Sequence, residues 1–353
     1  GIIASAVQSA EAPTTSLPRS EIVLELDLRV PRFDQSARAS FFFAAPLSTV
    51  EIVQALERAE TDERIAGVFV RANEFFLPPA QADELRAAIA GLKAAGKFVT
   101  VHAQGFEGTG MSNYYAVSNA DEVWLQGASF FSASGFATET LFFGGMIERF
   151  GARAEYVQFR EYKNAANIYT ESDYTEPHRE AMLGLLGSLY DLSLAGVAGD
   201  RGRALEELRS VVESGPYTAD EAFKAGLVDQ IGHVHAAREA ALSRAGADPT
   251  LVQIEDYFRE TPERRRGDAP FIALVEAQGP VVTGAGAAGF GSGDMIGSDR
   301  IAEIIDEAAE DDDVRVILLR IDTSGGSPVA SDQIHDAIRR AREAGKPVVV
   351  SMG

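Results

Sequence analysis

Short apolar runs alternate with stretches of helical spacing along most of the chain. Residues 21–28, 65–70 and 98–101 are apolar runs with the length of single strands. Between them, residues 48–60 and 79–95 place apolar side chains three or four positions apart, which is the spacing of one helix face. Strands that alternate with helices are typical of parallel sheets covered by helices, so the pattern predicts an α/β fold.

The same alternation continues toward the C-terminus and predicts two domains. Helices are predicted at 109–119, 138–150, 175–199, 203–213 and 233–245, and strands at 122–125 and 153–159. Residues 246–269 are polar and lack periodicity, so they are predicted to form a linker. We therefore expect a residual N-terminal linker at 1–20, a first domain at 21–245 and a second domain at 270–353, since 353 residues exceed a usual single core.

The chain also repeats itself at one constant offset. Residues 52–104 align without a gap with residues 301–353, an offset of 249. Within this alignment Asp62 matches Asp311 and Arg71 matches Arg320. Because one register is kept through helix, strand, helix and strand, the repeat predicts two homologous domains, the second incomplete at its C-terminal end.

The two repeats differ in the turn that connects the predicted strand to the following helix. The second has Thr323-Ser324-Gly325-Gly326-Ser327, and the first has Glu74-Phe75-Phe76-Leu77-Pro78. Two glycines let a backbone turn tightly and bring its N–H groups against a ligand. From this pattern alone, Gly325-Gly326 is either such a cradle of N–H groups or a plain turn.

Composition and charge exclude several classes of function. The net charge of −21 argues against a nucleic-acid-binding surface, which needs a basic stripe. The absence of cysteine excludes disulfides and thiolate catalysis. No uninterrupted apolar run of about 18 residues occurs, so no membrane span is expected. The first residues, Gly1-Ile2-Ile3-Ala4, are either the tail of a removed membrane or signal segment or an ordinary terminus.

No metal or cofactor is expected from the sequence. His233 and His235 lie two residues apart, but a third ligand is missing nearby, so a solvated pair is favoured over a metal site. The glycine-rich stretch 279–297 lacks the Gly-Lys-Ser/Thr of a phosphate-binding loop. The acidic residues 310–313 lack the spacing of a calcium loop.

Four segments together resemble a known family, the long tandem-domain form of signal peptide peptidase A, also called protease IV. They are residues 161–166, 217–229, 321–327 and 346–353. The first resembles the segment around the family's catalytic lysine, and the last resembles the strand that leads to its serine loop. The resemblance implies tandem domains of the Clp protease/crotonase-like fold.

It also implies a serine–lysine dyad shared between the two domains. Lys163 would be the general base, and the backbone N–H groups of Gly325 and Gly326 would stabilise the oxyanion. The offset places the nucleophilic serine roughly seven residues past Gly353, so the chain is expected to be truncated before it and inactive. In the first repeat the counterpart of that serine is Met111, one residue before Ser112. Judged from its neighbours alone, Lys163 would be a solvated surface lysine.

The resemblance further implies substrates, partners and a location. Signal peptides or other apolar peptide segments would be cleaved at the periplasmic side of the bacterial inner membrane, with attachment through a missing N-terminal anchor. A homo-oligomer is expected because the family forms tetramers, and no nucleic acid or cofactor is expected. Two alternatives stay open: a crotonase-like acyl-CoA hydratase or isomerase, and a non-catalytic assembly module.

Overall fold

The computed structural model describes residues 21–30, 46–72, 77–107, 111–261, 270–286 and 295–353, together with Leu17, Arg32 and Asp34. Its described residues form a six-stranded and a three-stranded parallel sheet, together with two sheets of two strands each. The two larger sheets pack against separate hydrophobic clusters. The predicted α/β class is therefore confirmed. We call residues 17–261 the first unit and residues 270–353 the second unit.

The elements of the two units follow in chain order. The first unit contains β1 (Ile22–Asp27), α1 (Thr49–Thr61), β2 (Ile65–Arg71), α2 (Pro79–Ala94), β3 (Phe98–Ala103), α3 (Met111–Val117), β4 (Glu122–Leu125), β5 (Phe130–Phe131), α4 (Gly144–Arg149), a 3-10 turn (Asn164–Ala166), α5 (Asn167–Thr170), α6 (Glu176–Asp200), α7 (Leu205–Glu213), β6 (Tyr217–Thr218), α8 (Ala219–Lys224), β7 (Gln230–Ile231), α9 (Val234–Ala245), β8 (Thr250–Gln253) and α10 (Ile254–Glu260). The second unit contains β9 (Phe271–Gln278), β10 (Val281–Val282), β11 (Ile296–Gly297), α11 (Ser298–Glu310), β12 (Val314–Asp322), α12 (Pro328–Glu343) and β13 (Val348–Met352).

The sheet of the first unit has six parallel strands in the order β7-β4-β3-β2-β1-β8. Alternate side chains of these strands enter two cores, because successive residues of a strand point to opposite faces. One face packs against α1, α2 and α3, and the other packs against α9 through Val23, Phe69, Ala237 and Ala241. Burial on both faces explains why the central strands read as continuous apolar runs.

Part of the predicted linker 246–269 belongs to the first unit. Residues 250–253 form β8, which pairs with β1 at the edge of the sheet, and α10 follows directly. Ile254 and Tyr257 of α10 are buried in the first core. The linker interpretation was wrong here because two buried side chains in a polar stretch are too few to produce a visible period. Residues 262–269 of the predicted linker lie outside the described part of the chain.

The second unit repeats the layout of the first at the offset of 249 residues. The bounds of α11 and α12 are those of α1 and α2 shifted by this offset. Strand pairing also corresponds, because the register irregularity after the β1 pair Ile22–Ile65 recurs after the β9 pair Phe271–Val314. The three described strands form a parallel sheet in the order β13-β12-β9.

Two predicted elements around Lys163 differ from the structure. Residues 153–159, predicted as a strand, pair with no described strand, and Val157 and Phe159 are exposed. The helix predicted at 138–150 is only α4, which ends before Gly151 at φ +72°. Both predictions were wrong because apolar residues here lie at the surface, so their spacing does not mark a buried face.

Candidate active site

The turn between β12 and α12 brings the two candidate oxyanion glycines to the carboxyl edge of the second sheet. Gly325 has φ +105°, a backbone conformation that side-chain-bearing residues rarely adopt. Its N–H donates to Thr323 Oγ1 at 3.0 Å. The Gly325 N–H is thus engaged within its own turn, and a ligand oxygen would have to compete with the threonine hydroxyl.

Gly326 lies against the backbone of β10. Val281 N–H donates to the Gly325 carbonyl at 3.0 Å, and Ser327 N–H donates to the Val281 carbonyl at 2.8 Å. A Cβ atom on Gly326 would stand 2.1 Å from Val281 O, so only glycine fits. The Gly326 N–H makes no hydrogen bond to any described residue, which leaves it able to donate to a ligand.

The helix that follows adds positive potential to this turn. The Oγ of Ser327 accepts the Ala330 N–H at 3.3 Å and caps α12, whose first turn starts with Pro328. Pro at this position and an N-terminal cap both favour helix initiation. The N-terminal end of a helix attracts negative charge, so the turn suits a developing oxyanion.

Lys163 lies in a surface segment that the side chain of Tyr162 attaches to α6. The Tyr162 hydroxyl donates to Glu180 Oε2 at 2.8 Å, and the Lys163 N–H donates to the Arg160 carbonyl at 3.3 Å. Arg160 has φ +68°, which is unusual for a residue with a side chain. The Lys163 side chain is exposed and makes no ion pair or hydrogen bond with the described residues.

Comparison with the other lysines shows which of them have a free side chain, as a general base would need. The chain contains five, and Lys93, Lys97 and Lys346 donate to backbone carbonyl oxygens. Lys224 of α8, like Lys163, makes no side-chain bond with described residues. Of these two, Lys163 lies in the chain segment with more exposed large apolar side chains, so it is the better candidate for the general base.

We call residues 141–170 the Lys163 arm. It exposes an unusual number of large apolar side chains: Leu141, Met146, Phe150, Tyr156, Val157, Phe159, Tyr162 and Tyr169. The neighbouring helix α6 adds exposed leucines: Leu183, Leu185 and Leu192. Exposed large apolar side chains in this number are typical of a contact surface for a protein or a membrane.

Helix α6 is, among the described helices, long and apolar enough to cross a membrane by length and composition. The absence of an uninterrupted apolar run did not exclude this, because glycines and a few polar residues interrupt the leucines. In the structure the C-terminal part of α6 packs on the first core through Leu194 and Val197.

The structure does not join Lys163 to the glycine turn through any hydrogen bond among described residues. Met111 and Ser112 are buried in α3, and Ser112 Oγ makes no hydrogen bond there. Burial keeps this hydroxyl away from a substrate. The first-repeat residues Glu74, Phe75 and Phe76 lie outside the described residues, so their turn cannot be compared with Gly325-Gly326.

His233 and His235 lie at the start of α9. His233 precedes α9 as its N-cap residue, and His235 is exposed and pairs with Glu239 at 3.3 Å. No group of three metal-ligating side chains occurs in the part of the chain described. The favoured prediction of a solvated pair agrees with the exposure of His235.

Sequence reasoning missed a buried ion-pair cluster between the two units. Arg320 of β12, only 4% exposed, pairs with Asp34, which is fully buried, and with Glu84 of α2. The repeat alignment marked Arg320 only as the match of Arg71. The available signal was a charged residue inside an apolar strand, which requires a charged partner when it is buried.

Comparison with known proteins bears on this site. Residues 91–248, which include Lys163, match the model of peptidase family S49. The chain is 27% identical to "Protease 4" of Haemophilus influenzae over 324 residues, which are 87% of this chain and 51% of that protein. The resemblance to protease IV is confirmed.

Two further relatives agree with this result. "Protease 4" of Salmonella typhi is 28% identical over 322 residues, covering 87% of this chain and 50% of that protein. "Serine protease SPPA, chloroplastic" of Arabidopsis thaliana is 25% identical over 341 residues, covering 95% of this chain and 49% of that protein. The chain therefore spans about half the length of the curated relatives it matches.

Proposed function

We propose that the chain is part of a serine endopeptidase that works with a Ser–Lys dyad on tandem Clp protease/crotonase-like domains. The observation that carries the proposal is the Gly325-Gly326 turn, where the Gly326 N–H is unengaged at a sheet edge and helix N-terminus. The match to peptidase family S49 and the relatives named as proteases support a serine peptidase over an acyl-CoA enzyme.

The proposed chemistry assigns one role to each group. A serine following β13 in the whole protein attacks the peptide carbonyl, and Lys163 takes its proton and passes it to the leaving amine. The Gly326 N–H, with Gly325 once its N–H is released from Thr323, stabilises the oxyanion. Water then hydrolyses the acyl-enzyme. Because the nucleophile is assigned outside residues 1–353, we expect no peptide cleavage by these residues alone.

Lys163 must be shielded from solvent before it can act as a general base. A lysine accepts a proton only when its ammonium form is disfavoured by desolvation, and the described residues leave Lys163 exposed. We propose that a second copy of the protein packs on the apolar Lys163 arm and supplies this cover, as part of a homo-oligomer. Exposed Val157 and Phe159 support this assignment.

The proposed substrates are signal peptides or similar apolar segments at a membrane. Apolar peptides suit an apolar surface, which the exposed leucines of α6, beside the covered arm, would provide. We place the protein at the bacterial inner membrane with its catalytic units on the periplasmic side, attached by an N-terminal anchor. The long apolar helix α6 is compatible with a membrane-surface location.

Cleavage of a fluorogenic apolar peptide by the whole protein tests the function. Lys163→Ala should lower kcat by about 100-fold or more, the usual effect of losing a general base. Lys224→Ala is the matched control because Lys224 is also exposed and unbonded among described residues, and it should keep full activity. Unchanged activity of Lys163→Ala, or cleavage by the 353 residues alone, would contradict the proposal.

Light scattering after gel filtration tests the assembly. Val157→Asp places a charge on the apolar arm and should convert the oligomer to monomers. Leu205→Asp, on an exposed residue of α7 outside the arm, is the control and should leave the mass unchanged. A monomeric parent protein, or a Val157→Asp variant with the parental mass, would refute the arm as the assembly surface.

A further inference from the structure

Arg320 lies on the face of β12 that points away from the second core. Ile317 and Leu319 enter that core, and the alternation of a strand turns Arg320 to the opposite face. There its side chain meets residues of the first unit, and it is almost completely buried. A buried guanidinium needs charged or polar partners.

The partners hold the guanidinium from several sides. Nε and Nη2 donate to the two oxygens of Asp34 at 2.8 and 2.6 Å, a bidentate pair. Nη2 also donates to Glu84 Oε2 at 3.1 Å, and Nη1 bonds Glu84 Oε1. Nη1 donates as well to Ser351 Oγ on β13 at 2.8 Å. One side chain therefore connects β12 and β13 to Asp34 and to α2 of the first unit.

The cluster lies at the end of β13. Asp34 Oδ2 is 2.7 Å from the position that a Cβ atom on Gly353 would take, and Gly353 N–H donates to the Ile321 carbonyl at 2.9 Å. Bidentate arginine–carboxylate pairs have a fixed planar geometry. The cluster thus orients the first unit against the sheet edge that also holds the Gly325-Gly326 turn.

The repeat shows that this arrangement is particular to the second unit. Arg71, the counterpart of Arg320, donates to Gln104 Oε1 at 3.0 Å within its own unit. On that face the first sheet is covered by α9, which packs on Phe69. At this repeat position, Arg71 therefore makes contacts within its own unit, whereas Arg320 makes contacts between the two units.

We propose that Arg320 is a positioning residue that fixes the two units relative to each other through Asp34 and Glu84. This proposal rests on the proposed function in one respect. The fixed arrangement would hold the first unit, which contains Lys163, in a defined orientation to the Gly325-Gly326 turn. Replacement of a whole buried ion pair by apolar residues of similar shape is often neutral for stability, whereas removal of one partner is destabilising. The bidentate pairing of Arg320 with Asp34 has a fixed planar geometry. Loss of the cluster should therefore disturb orientation more than folding.

Distance measurement between the units tests the proposal without any activity. The chain has no cysteine, so Glu63→Cys and Asp312→Cys introduce one spin label in each unit, at repeat-related exposed turns. Pulsed electron resonance should give one narrow distance distribution in this parent protein. Arg320→Met should broaden or shift it. Arg339→Met, which removes an exposed arginine paired with Asp336 and Glu343 inside α12, should leave it unchanged.

Two further variants distinguish loss of the cluster from unfolding and from loss of charge alone. Arg320→Met leaves two carboxylates unpaired, and the triple variant R320M/D34N/E84Q removes all the charges while keeping shape, so it serves if the single variant fails to fold. Arg320→Lys keeps the charge without the bidentate geometry and should restore the parental distance only partly. Parental distance distributions in both Arg320→Met and the triple variant would overturn the proposal.

Kinetic measurements on the whole protein distinguish a failure of the positioning role of Arg320 from a failure of the proposed function. Misplacement of the units should lower kcat about 100-fold, the effect of small displacements of reacting groups, with little change in KM. A parent protein without peptidase activity would refute the proposed function, and the distance measurement would still decide the role of Arg320. An active parent whose Arg320→Met variant keeps its kcat would overturn the positioning role.

Discussion

Lys97 and Lys346 donate the same two hydrogen bonds at equivalent places in the two units. Lys97 Nζ donates to the carbonyl oxygens of Ile65 and Asp62 at 2.7 and 3.0 Å. Lys346 Nζ donates to those of Val314 and Asp311 at 2.6 and 2.5 Å. Lys97 thereby connects the start of β3 to the start of β2, and Lys346 connects the start of β13 to the start of β12. The repeated sequence position therefore makes the same structural contact in both units.

Loss of either lysine should destabilise its unit to a similar degree. Lys97→Met and Lys346→Met keep the aliphatic stem and remove two charge-assisted bonds, at a cost of roughly 1–3 kcal/mol each. Urea unfolding monitored by circular dichroism measures the change. Lys224→Met should be neutral, because Lys224 makes no such bond with described residues. A neutral effect at one of the two repeat positions would show that shared geometry does not imply shared energetics.

Gly326→Ala should disrupt the turn at the sheet edge. The added methyl would collide with Val281 O, and we expect a loss of about 1–3 kcal/mol, as for other overpacked sites. Gly187→Ala in α6 is the control because space is open around it, and it should gain roughly 0.5–1 kcal/mol from helix propensity. Thermal unfolding compares the two, and a Gly326→Ala variant as stable as the parent protein would contradict the geometry described.

His102 should make stability depend on pH on the acidic side of neutrality. Burial, assisted by the charges of Arg71 and Arg29, lowers the pKa of His102 from 6.5 to about 4. The unfolded chain therefore binds a proton that the folded chain does not, so stability is full above pH 6.5 and falls as pH drops toward 4. The loss should reach on the order of 3 kcal/mol at pH 4.

Comparison with His102→Gln isolates this effect from the other titrating groups. Glutamine can still donate to the Gly232 carbonyl, which lies 3.1 Å from His102 Nε2, but it does not titrate. The difference in unfolding free energy between the parent protein and His102→Gln should therefore change between pH 7 and pH 4.5. A constant difference for His102→Gln would show that His102 titrates normally.

Ile254→Ala tests whether α10 belongs to the first unit. Ile254 is fully buried in the first core, and truncation of a buried isoleucine costs about 2–5 kcal/mol. Ile272→Ala in β9 is the matched control, because Ile272 is 65% exposed and should lose much less. Equal effects of the two substitutions on urea unfolding would support the original interpretation of residues 246–269 as a linker.

Elements with a buried face were predictable from the sequence. The period of α1, α2 and the central strands arises because each of these elements contacts a hydrophobic core. Gly96, with φ +82°, follows the end of α2, where glycine is the residue that tolerates this conformation. Thr218 caps α8, since its Oγ1 accepts the Glu221 N–H, and threonine is a residue type that favours this position. Around Lys163 the prediction failed because apolar side chains there face outward, where spacing carries no information about a core.

The candidate site was predictable only in part. Gly325 and Gly326 could be found because tight turns and close backbone contacts demand glycine, a requirement visible in single residues. Lys163 could be singled out by its resemblance to a family segment, but its exposure could not, because solvent contact depends on what packs nearby in space. Arg320 gave almost no signal, since its partner Asp34 lies 286 residues away.

The sequence by itself determined the α/β class, the repeat at an offset of 249 residues and the glycine turn, because each follows from local patterns or from the conformational freedom of single residues. The tertiary structure alone decided that α10 and β8 complete the first unit and that Arg320 joins the two units. It also decided that Lys163 stands on an apolar surface without a described partner. These are long-range packing relationships, which depend on how distant segments meet and leave little trace in the order of residues.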